Sequence, residues 1–334
     1  MTYTARWVPP DTLARWPAPS ADATTIQLMG DTHFVGSLDG WGHWPLPGND
    51  TTYDAIGRDV TDAVLGQIPK RIFQLGDQVD NRLPRTEARQ LTQLQGYRDW
   101  MALYDMKLEL VAGNHDTPRG LTTGSQWASY WGYEHPYRAV DLGDYRALIL
   151  GGDDARFNHW QFDLPVLRYT DALVSWLDTE LGTDKRPTVI MNHAPLPNSP
   201  LSNPNQPEAS QTTQSGGDEA TDLLEVMDSH PNVIGFLHAH THNPFDGVGS
   251  DYDHSNVSRY NIGSRSIPQI DAGCVLERRE PHFGKGRQNM LGPAVTFYVS
   301  ILNDGRTLEV RWRKHDQRLW TSVPGVGRVQ RLST

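Results

Sequence analysis

Short apolar runs that stop at polar residues recur along the chain. Residues 26–29 run into Gly30-Asp31, 71–75 into Gly76-Asp77, 108–111 into Ala112 and then Gly113-Asn114-His115-Asp116, 188–191 into Asn192-His193, and 233–237 into His238 and His240. They read as buried strands whose C-terminal ends carry polar side chains, the arrangement of open α/β sheets. Between them the apolar spacing becomes helical: Ile56, Val60, Ala63 and Val64 before Pro69; Leu91, Leu94, Trp100, Met101 and Tyr104; and Leu173, Trp176, Leu177 and Leu181 with Gly182 as the stop. The alternation predicts βαβ units. Further on, 294–302 and 308–312 flank Asn303-Asp304-Gly305, a hairpin signal that adds antiparallel strands. Three segments, about 38–50, 195–220 and 246–258, have no periodicity and read as long loops, the second placed to cover whatever His193 lines.

The polar clusters span Asp31 to His242, so one site draws on most of the chain. That favours a single integrated domain over 24–320, preceded by an extension over 1–23 and followed by a tail over 321–334. Thirty basic against forty acidic residues give a formal charge of −10, which disfavours the phosphate-backbone footprint of a nucleic-acid binder. The lone cysteine, Cys274, permits neither an intrachain disulfide nor a thiolate zinc cage. The first twenty residues lack a basic start and an apolar core, and no run approaches the ~20 apolar residues of a membrane span, so a soluble, cytoplasmic protein is expected.

The clusters carry the chemistry of metal ligation. Asp31 and His33 stand two apart and share a face of an extended segment. Asp77 follows a glycine that permits a sharp turn, and its two oxygens could bridge two cations; the alternative for Asp77 and Asp80 is turn formation and capping. Asn114 offers a neutral amide oxygen. His115 beside it points elsewhere and suits proton transfer near neutral pH. Asp116 could orient that imidazole or cap the segment at Thr117-Pro118. His238, His240 and His242 alternate, a cluster that repels itself unless metal holds it, and only two of the three need be ligands. His43, His135, His159, His230, His254, His282 and His315 lie in polar or Pro/Gly-rich surroundings and read as surface residues.

Taken in order, Asp31-x-His33, Gly76-Asp77-x-x-Asp80, Gly113-Asn114-His115-Asp116, His193 and His240-x-His242 resemble the motifs of the calcineurin-like metallophosphoesterases, over about 25–244. The resemblance implies an α/β fold, a four-layer α/β/β/α sandwich of two mixed sheets flanked by helices, with the C-terminal hairpin completing the second sheet. It implies one metal on Asp31, His33 and His242, another on Asn114, His193 and His240, and Asp77 bridging them. His115 would be the proton donor, with Asp80 and Asp116 supporting the site. Ala239 stands where the family has glycine, and Asn81 where the Ser/Thr protein phosphatases have arginine. The intact Asp-x-His separates the chain from the purple acid phosphatases. The closest pattern is that of the class III cyclic nucleotide phosphodiesterase branch.

The expected function is therefore hydrolysis of a phosphodiester, or a small phosphomonoester, by a hydroxide held between two metals with His115 assisting. The ligand set suits Mn²⁺, Fe²⁺/Fe³⁺ or Zn²⁺. The alternatives are a nuclease of the same superfamily and a protein-binding scaffold that has lost catalysis. The Trp41, His43 and Trp44 cluster is a further candidate for stacking on substrate, with packing as its alternative.

Overall fold

A computed structural model describes residues 18–20, 23–34, 51–62, 68–79, 87–116, 124–151, 154–157, 165–196, 218–240, 257–273, 275, 295–315, 318–321 and 330–334. Asp80, His242 and the Trp41–Trp44 cluster lie outside the described residues, as do His43, His159, His254 and His282.

The strands are β1 (Thr24–Met29), β2 (Arg71–Gln74), β3 (Leu108–Leu110), β4 (Arg138–Asp141), β5 (Arg146–Ile149), β6 (Asp154–Phe157), β7 (Pro165–Arg168), β8 (Thr188–Met191), β9 (Val233–His238), β10 (Val257–Ile262), β11 (Arg265–Asp271), β12 (Val295–Ile301), β13 (Thr307–Lys314), β14 (Leu319–Thr321) and β15 (Gln330–Ser333). The helices are α1 (Thr51–Val60), α2 (Glu87–Leu103), α3 (Gly124–Trp131), α4 (Asp171–Thr183) and α5 (Asp218–Ser229). One sheet runs β14-β13-β12-β1-β2-β3, with β15 also on β13; the other runs β10-β11-β9-β8-β5-β4, and β6 pairs with β7 apart from both. Both large sheets are mixed. In the first, β1, β2 and β3 are parallel while β12 and β13 are antiparallel. In the second, β11, β9, β8 and β5 are parallel, with β10 and β4 antiparallel at the edges.

Alternation along the strands sorts the core into three layers. Ile26 and Leu28 of β1 meet Ala147 and Ile149 of β5, Val189 and Met191 of β8, and Phe297 and Val299 of β12 between the sheets. Met29 and Leu110 face the other way, onto Ile56 of α1, Tyr97 and Trp100 of α2 and Trp127 of α3. Leu148 and Ile190 leave the second sheet on its far side to meet Leu173 and Leu177 of α4 and Leu223 and Met227 of α5. The result is helices, sheet, sheet, helices, as the motif resemblance implies.

Several elements differ from expectation. The β12–β13 hairpin does not complete the second sheet; it pairs through β12 with β1, from Thr24↔Ile301 to Leu28↔Phe297, and so covers the edge that β1 would otherwise leave open. Within 321–334, the segment set apart as a tail, β15 pairs with β13. Helix α4 runs past Gly182 to Thr183, started by the Thr170 hydroxyl on the Leu173 N–H and ended at Asp184. Helix α5 begins at Asp218, inside the stretch read as loop, and buries Leu223 and Met227 one turn apart.

His315 corrects the surface reading. It is 2% exposed, with Nδ1 2.9 Å from Asp59 Oδ2 and Nε2 2.8 Å from Thr296 Oγ1. Arg313 grips the same Asp59 carboxylate with Nε at 2.7 Å and Nη2 at 2.8 Å, pinning α1 to β13. A carboxylate, an imidazole and a hydroxyl in line would suit nucleophilic catalysis if open to substrate. Thr296 is 0% exposed and also takes a hydrogen bond from Gln27, so the cluster is structural.

Candidate metal centre

Five strand ends deliver the candidate ligands to one edge where the sheets meet. Beyond β1 come Asp31 and His33, beyond β2 Asp77, beyond β3 Asn114 and His115, beyond β8 His193, and beyond β9 His240. The first two loops are tied together by backbone, since the Asp77 carbonyl accepts from Thr32 N–H at 3.1 Å and His33 N–H at 2.9 Å. The turns are unusual: Gly76 has φ +97, and His33, Asp77 and His240 have φ of 42, 52 and 69. Left-handed backbone costs a residue with a Cβ on the order of 1 kcal/mol, so it persists only where the surroundings over-determine it, commonly at functional sites. Gly76 has no choice: besides its φ, a Cβ there would lie 2.3 Å from His193 Nδ1. At Gly113 a Cβ would lie 2.3 Å from Asp77 Oδ1, so only glycine lets the third loop reach the carboxylate.

Asp77 is the hub. Its Oδ2 lies 3.5 Å from His33 Nε2 and 3.9 Å from His115 Nε2, and its Oδ1 lies 3.4 Å from His193 Nε2. Two groups of possible ligands result, His33, Asp77 and His115, and Asp77, His193 and His240, each with its ligand atoms within 4.8 Å of one another. Asn114 joins the second, with Oδ1 2.9 Å from His193 Nε2, and His240 Nδ1 lies 3.0 Å from that same nitrogen. Asp31 Oδ1 accepts from the His240 N–H at 3.2 Å and lies 3.6 Å from His193 Nδ1. The structure therefore brings together Asp31, His33, Asp77, Asn114, His115, His193 and His240. Asp31 is in contact with His193 and His240 of the second group.

The electrostatics favour positive charge at this point. Burial would lower the His193 pKa, but the charges of Asp77 and Asp31 and the hydrogen bonds that Asp77 and the Leu75 carbonyl accept from it push it up to about 10. Burial alone would raise the Asp77 carboxyl, yet His193, His115 and His33 hold it well below the usual carboxylate range. His193 Nδ1 is engaged by the Leu75 carbonyl at 2.8 Å, which turns Nε2 toward Asn114 Oδ1, Asp77 Oδ1 and His240 Nδ1. Lone pairs converging in this way repel unless a proton or a cation sits among them. The donor set, imidazole nitrogen with carboxylate and amide oxygen, thus fits a pair of first-row transition-metal ions.

Asp116 accepts from the Gly113 N–H at 2.8 Å and the Val79 N–H at 3.2 Å, which closes the His115 turn against the Asp77 loop. Burial and the nearby Asp77 charge raise its pKa well above the ordinary value. His238 is fully buried, its Nδ1 3.0 Å from the Ala239 carbonyl and 3.9 Å from Asp271 Oδ1. Burial pushes its pKa down to about 4, so it is a neutral core imidazole. Sequence reasoning missed the amide network under the site: Gln74, Gln78 and Gln90, the last donating to the Asp116 carbonyl. The available signal was Gln74, a buried amide at the end of the apolar β2 run.

Two mixed sheets that converge their strand ends on a buried His/Asp cluster sharing one carboxylate define a dinuclear hydrolase architecture. Residues 24–244 match the family model of the calcineurin-like phosphoesterases, and the chain belongs to that family, whose members use a dinuclear metal site. A probable cyclic nucleotide phosphodiesterase from a Synechococcus strain is 26% identical over 191 residues, which is 55% of this chain and 63% of that protein. The chain thus spans less than two thirds of this relative. In fold it is similar to a dimetal phosphatase from Danio rerio, with a TM-score of 0.57 at 14% identity over 90% of this chain and 99% of the other. It is also similar to a purple acid phosphatase from yellow lupin seeds, with a TM-score of 0.52 at 14% identity over 93% and 55%. Among the described residues no helix is long and apolar enough to cross a membrane.

Proposed function

We propose that this protein is a hydrolase of phosphoric esters that uses two metal ions, and that a small phosphodiester is its preferred substrate. The observation that carries the reading is the pair of His/Asp groups sharing Asp77 at the meeting edge of the sheets. The diester preference draws on the motif pattern and on the relative named for cyclic nucleotides. As the motif resemblance implies, Asp31, His33 and His242 would hold one ion and Asn114, His193 and His240 the other, with Asp77 between them. Metals bound there supply positive charge for the phosphoryl oxygens and lower the pKa of water so that hydroxide is available near neutral pH.

The chain's own residues do the rest. Asp77 keeps its negative charge at every physiological pH because three imidazoles surround it. His193 is aimed by the Leu75 carbonyl, which fixes which nitrogen faces the cluster. His115 is 7% exposed against 1% for His33, and its ring meets that of His33 edge-on with centroids 4.7 Å apart. Partial exposure beside the carboxylate lets it hand a proton to a leaving oxygen.

Elemental analysis of the purified protein, with Mn²⁺-supplemented turnover of bis(p-nitrophenyl) phosphate and p-nitrophenyl phosphate, tests the reading. About two equivalents of metal and faster turnover of the diester are expected. No metal and no turnover of either ester would overturn it, and a dominant monoester rate would overturn the diester preference alone. The His115→Ala variant tells a proton donor from a ligand. Turnover should fall about 10²–10⁴-fold with both metal equivalents retained; loss of one equivalent would make His115 a ligand instead.

A further inference from the structure

Two glutamine side chains lie beneath the centre, and their contacts reach three of its loops. Gln74 ends β2 and Gln78 follows Asp77, and both are fully buried. Gln74 Nε2 donates to the Gly30 carbonyl at 3.2 Å and to the Gly76 carbonyl at 2.5 Å, while its Oε1 accepts from the Gly76 N–H at 3.1 Å and from the Gln78 amide. Gln78 Nε2 also donates to the Val111 carbonyl at 2.7 Å, and its Oε1 accepts from the Trp127 indole at 3.0 Å. Each backbone partner lies close to a candidate ligand. Gly30 precedes Asp31, Gly76 precedes Asp77, and Val111 opens the turn that presents Asn114 and His115.

Strand ends alone do not set the spacing of three loops to the few tenths of an ångström that a shared carboxylate needs. Two interlocked amides do so, Gln74 held by the backbone of Gly30 and Gly76 and Gln78 by Gln74, Val111 and Trp127, because the buried surroundings make any other arrangement of their donors and acceptors costly. They also hold the Gly76-Asp77 turn in its left-handed conformation, since Gln74 binds both the N–H and the carbonyl of Gly76. We propose that the Gln74–Gln78 amide pair is the positioning element of the metal centre, fixing the separation of the Asp31, Asp77 and Asn114 loops so that one Asp77 carboxylate reaches two cations. The inference rests on the two-metal reading above.

A glutamine pair that merely fills the core would affect folding and leave the metal pair intact, so the test reads the pair itself. Gln74→Met keeps the volume and removes every polar contact. Protein loaded with Mn²⁺ is titrated calorimetrically and examined by electron paramagnetic resonance, where two ions bridged by one carboxylate give an exchange-coupled spectrum. In Gln74→Met the affinity for the second equivalent should fall about 10–100-fold, and the coupled spectrum should give way to that of isolated ions. Gln78→Met, which spares the grip of Gln74 on Gly30 and Gly76, should show a smaller change in the same direction and decides the matter if Gln74→Met does not fold. Leu177→Ala on α4, remote from the centre, is the control for lost stability and should keep the coupled spectrum. A Gln74→Met protein, or failing that a Gln78→Met protein, with wild-type affinity and coupling overturns this proposal while leaving the two-metal reading in place. Wild-type protein that binds no coupled pair overturns both.

Discussion

Replacing Asp77 with alanine is expected to abolish the metal pair and reduce phosphoester turnover by a factor on the order of 10³ or more. The size follows from its position: it is the one carboxylate common to both ligand groups, and its oxygens face His33 and His115 on one side and His193 on the other. Without it, three buried imidazoles lose their shared counter-charge, and neither cation keeps an anionic ligand in common with the other. The backbone sharpens the experiment. Asp77 sits at φ 52, where asparagine is tolerated far better than alanine, so Asp77→Asn isolates the charge and bridging from the strain. Asparagine also retains an oxygen for the His115 N–H that Asp77 Oδ1 accepts at 2.8 Å. With only one ligating oxygen it should hold a single equivalent of metal and lose most turnover. Metal stoichiometry by elemental analysis decides between these cases, and two equivalents retained by either variant would remove Asp77 from the bridging role.

The candidate ligands were legible because each interrupts an apolar run at its C-terminal end. Asp31, Asp77, Asn114, His193 and His240 all stand just past a buried strand, where a polar side chain must find a partner. The layers follow from the same runs, since Leu148 and Ile190 alternate with Ala147, Ile149, Val189 and Met191 between helix-facing and sheet-facing sides. Other features depend on partners far along the chain and leave no local mark. Nothing around 295–312 says that β12 pairs with β1 instead of with the second sheet. His315 looks exposed beside Lys314, Asp316 and Gln317, and its burial depends on Asp59, 256 residues away. Helix α5 opens with Asp218, Glu219 and Ala220 straight after a Ser/Gly/Gln-rich stretch, so its start is indistinguishable from loop until Leu223 and Met227 find the second sheet. Gln74 and Gln78 show that an amide in an apolar run can be as informative as a carboxylate, once the carbonyls it meets are known.

The buried cluster at Asp59 sets the second large expectation, which concerns stability. Asp59→Ala should lower the unfolding free energy by about 3 kcal/mol or more at neutral pH, the usual cost of removing one partner from a buried ion pair. Arg313 would lose both hydrogen bonds to the carboxylate, and His315 the contact that orders it toward Thr296. The pH dependence carries the diagnosis. Burial would raise the Asp59 carboxyl, but the hydrogen bonds and charges of His315 and Arg313 hold it below the ordinary value of 3.8. A carboxyl depressed in the folded state binds protons more weakly there than in the unfolded chain. Its stabilisation is therefore complete above 3.8 and is lost as the pH falls from there through the lower folded value. Wild type and Asp59→Ala should consequently differ most at neutral pH and converge in acid, where the protonated wild-type carboxyl no longer pairs with Arg313. Urea unfolding of both proteins across this range measures the gap directly. A gap that stays constant into acid would mean that packing, and not the ionised carboxylate, is what Asp59 contributes in pinning α1 to β13.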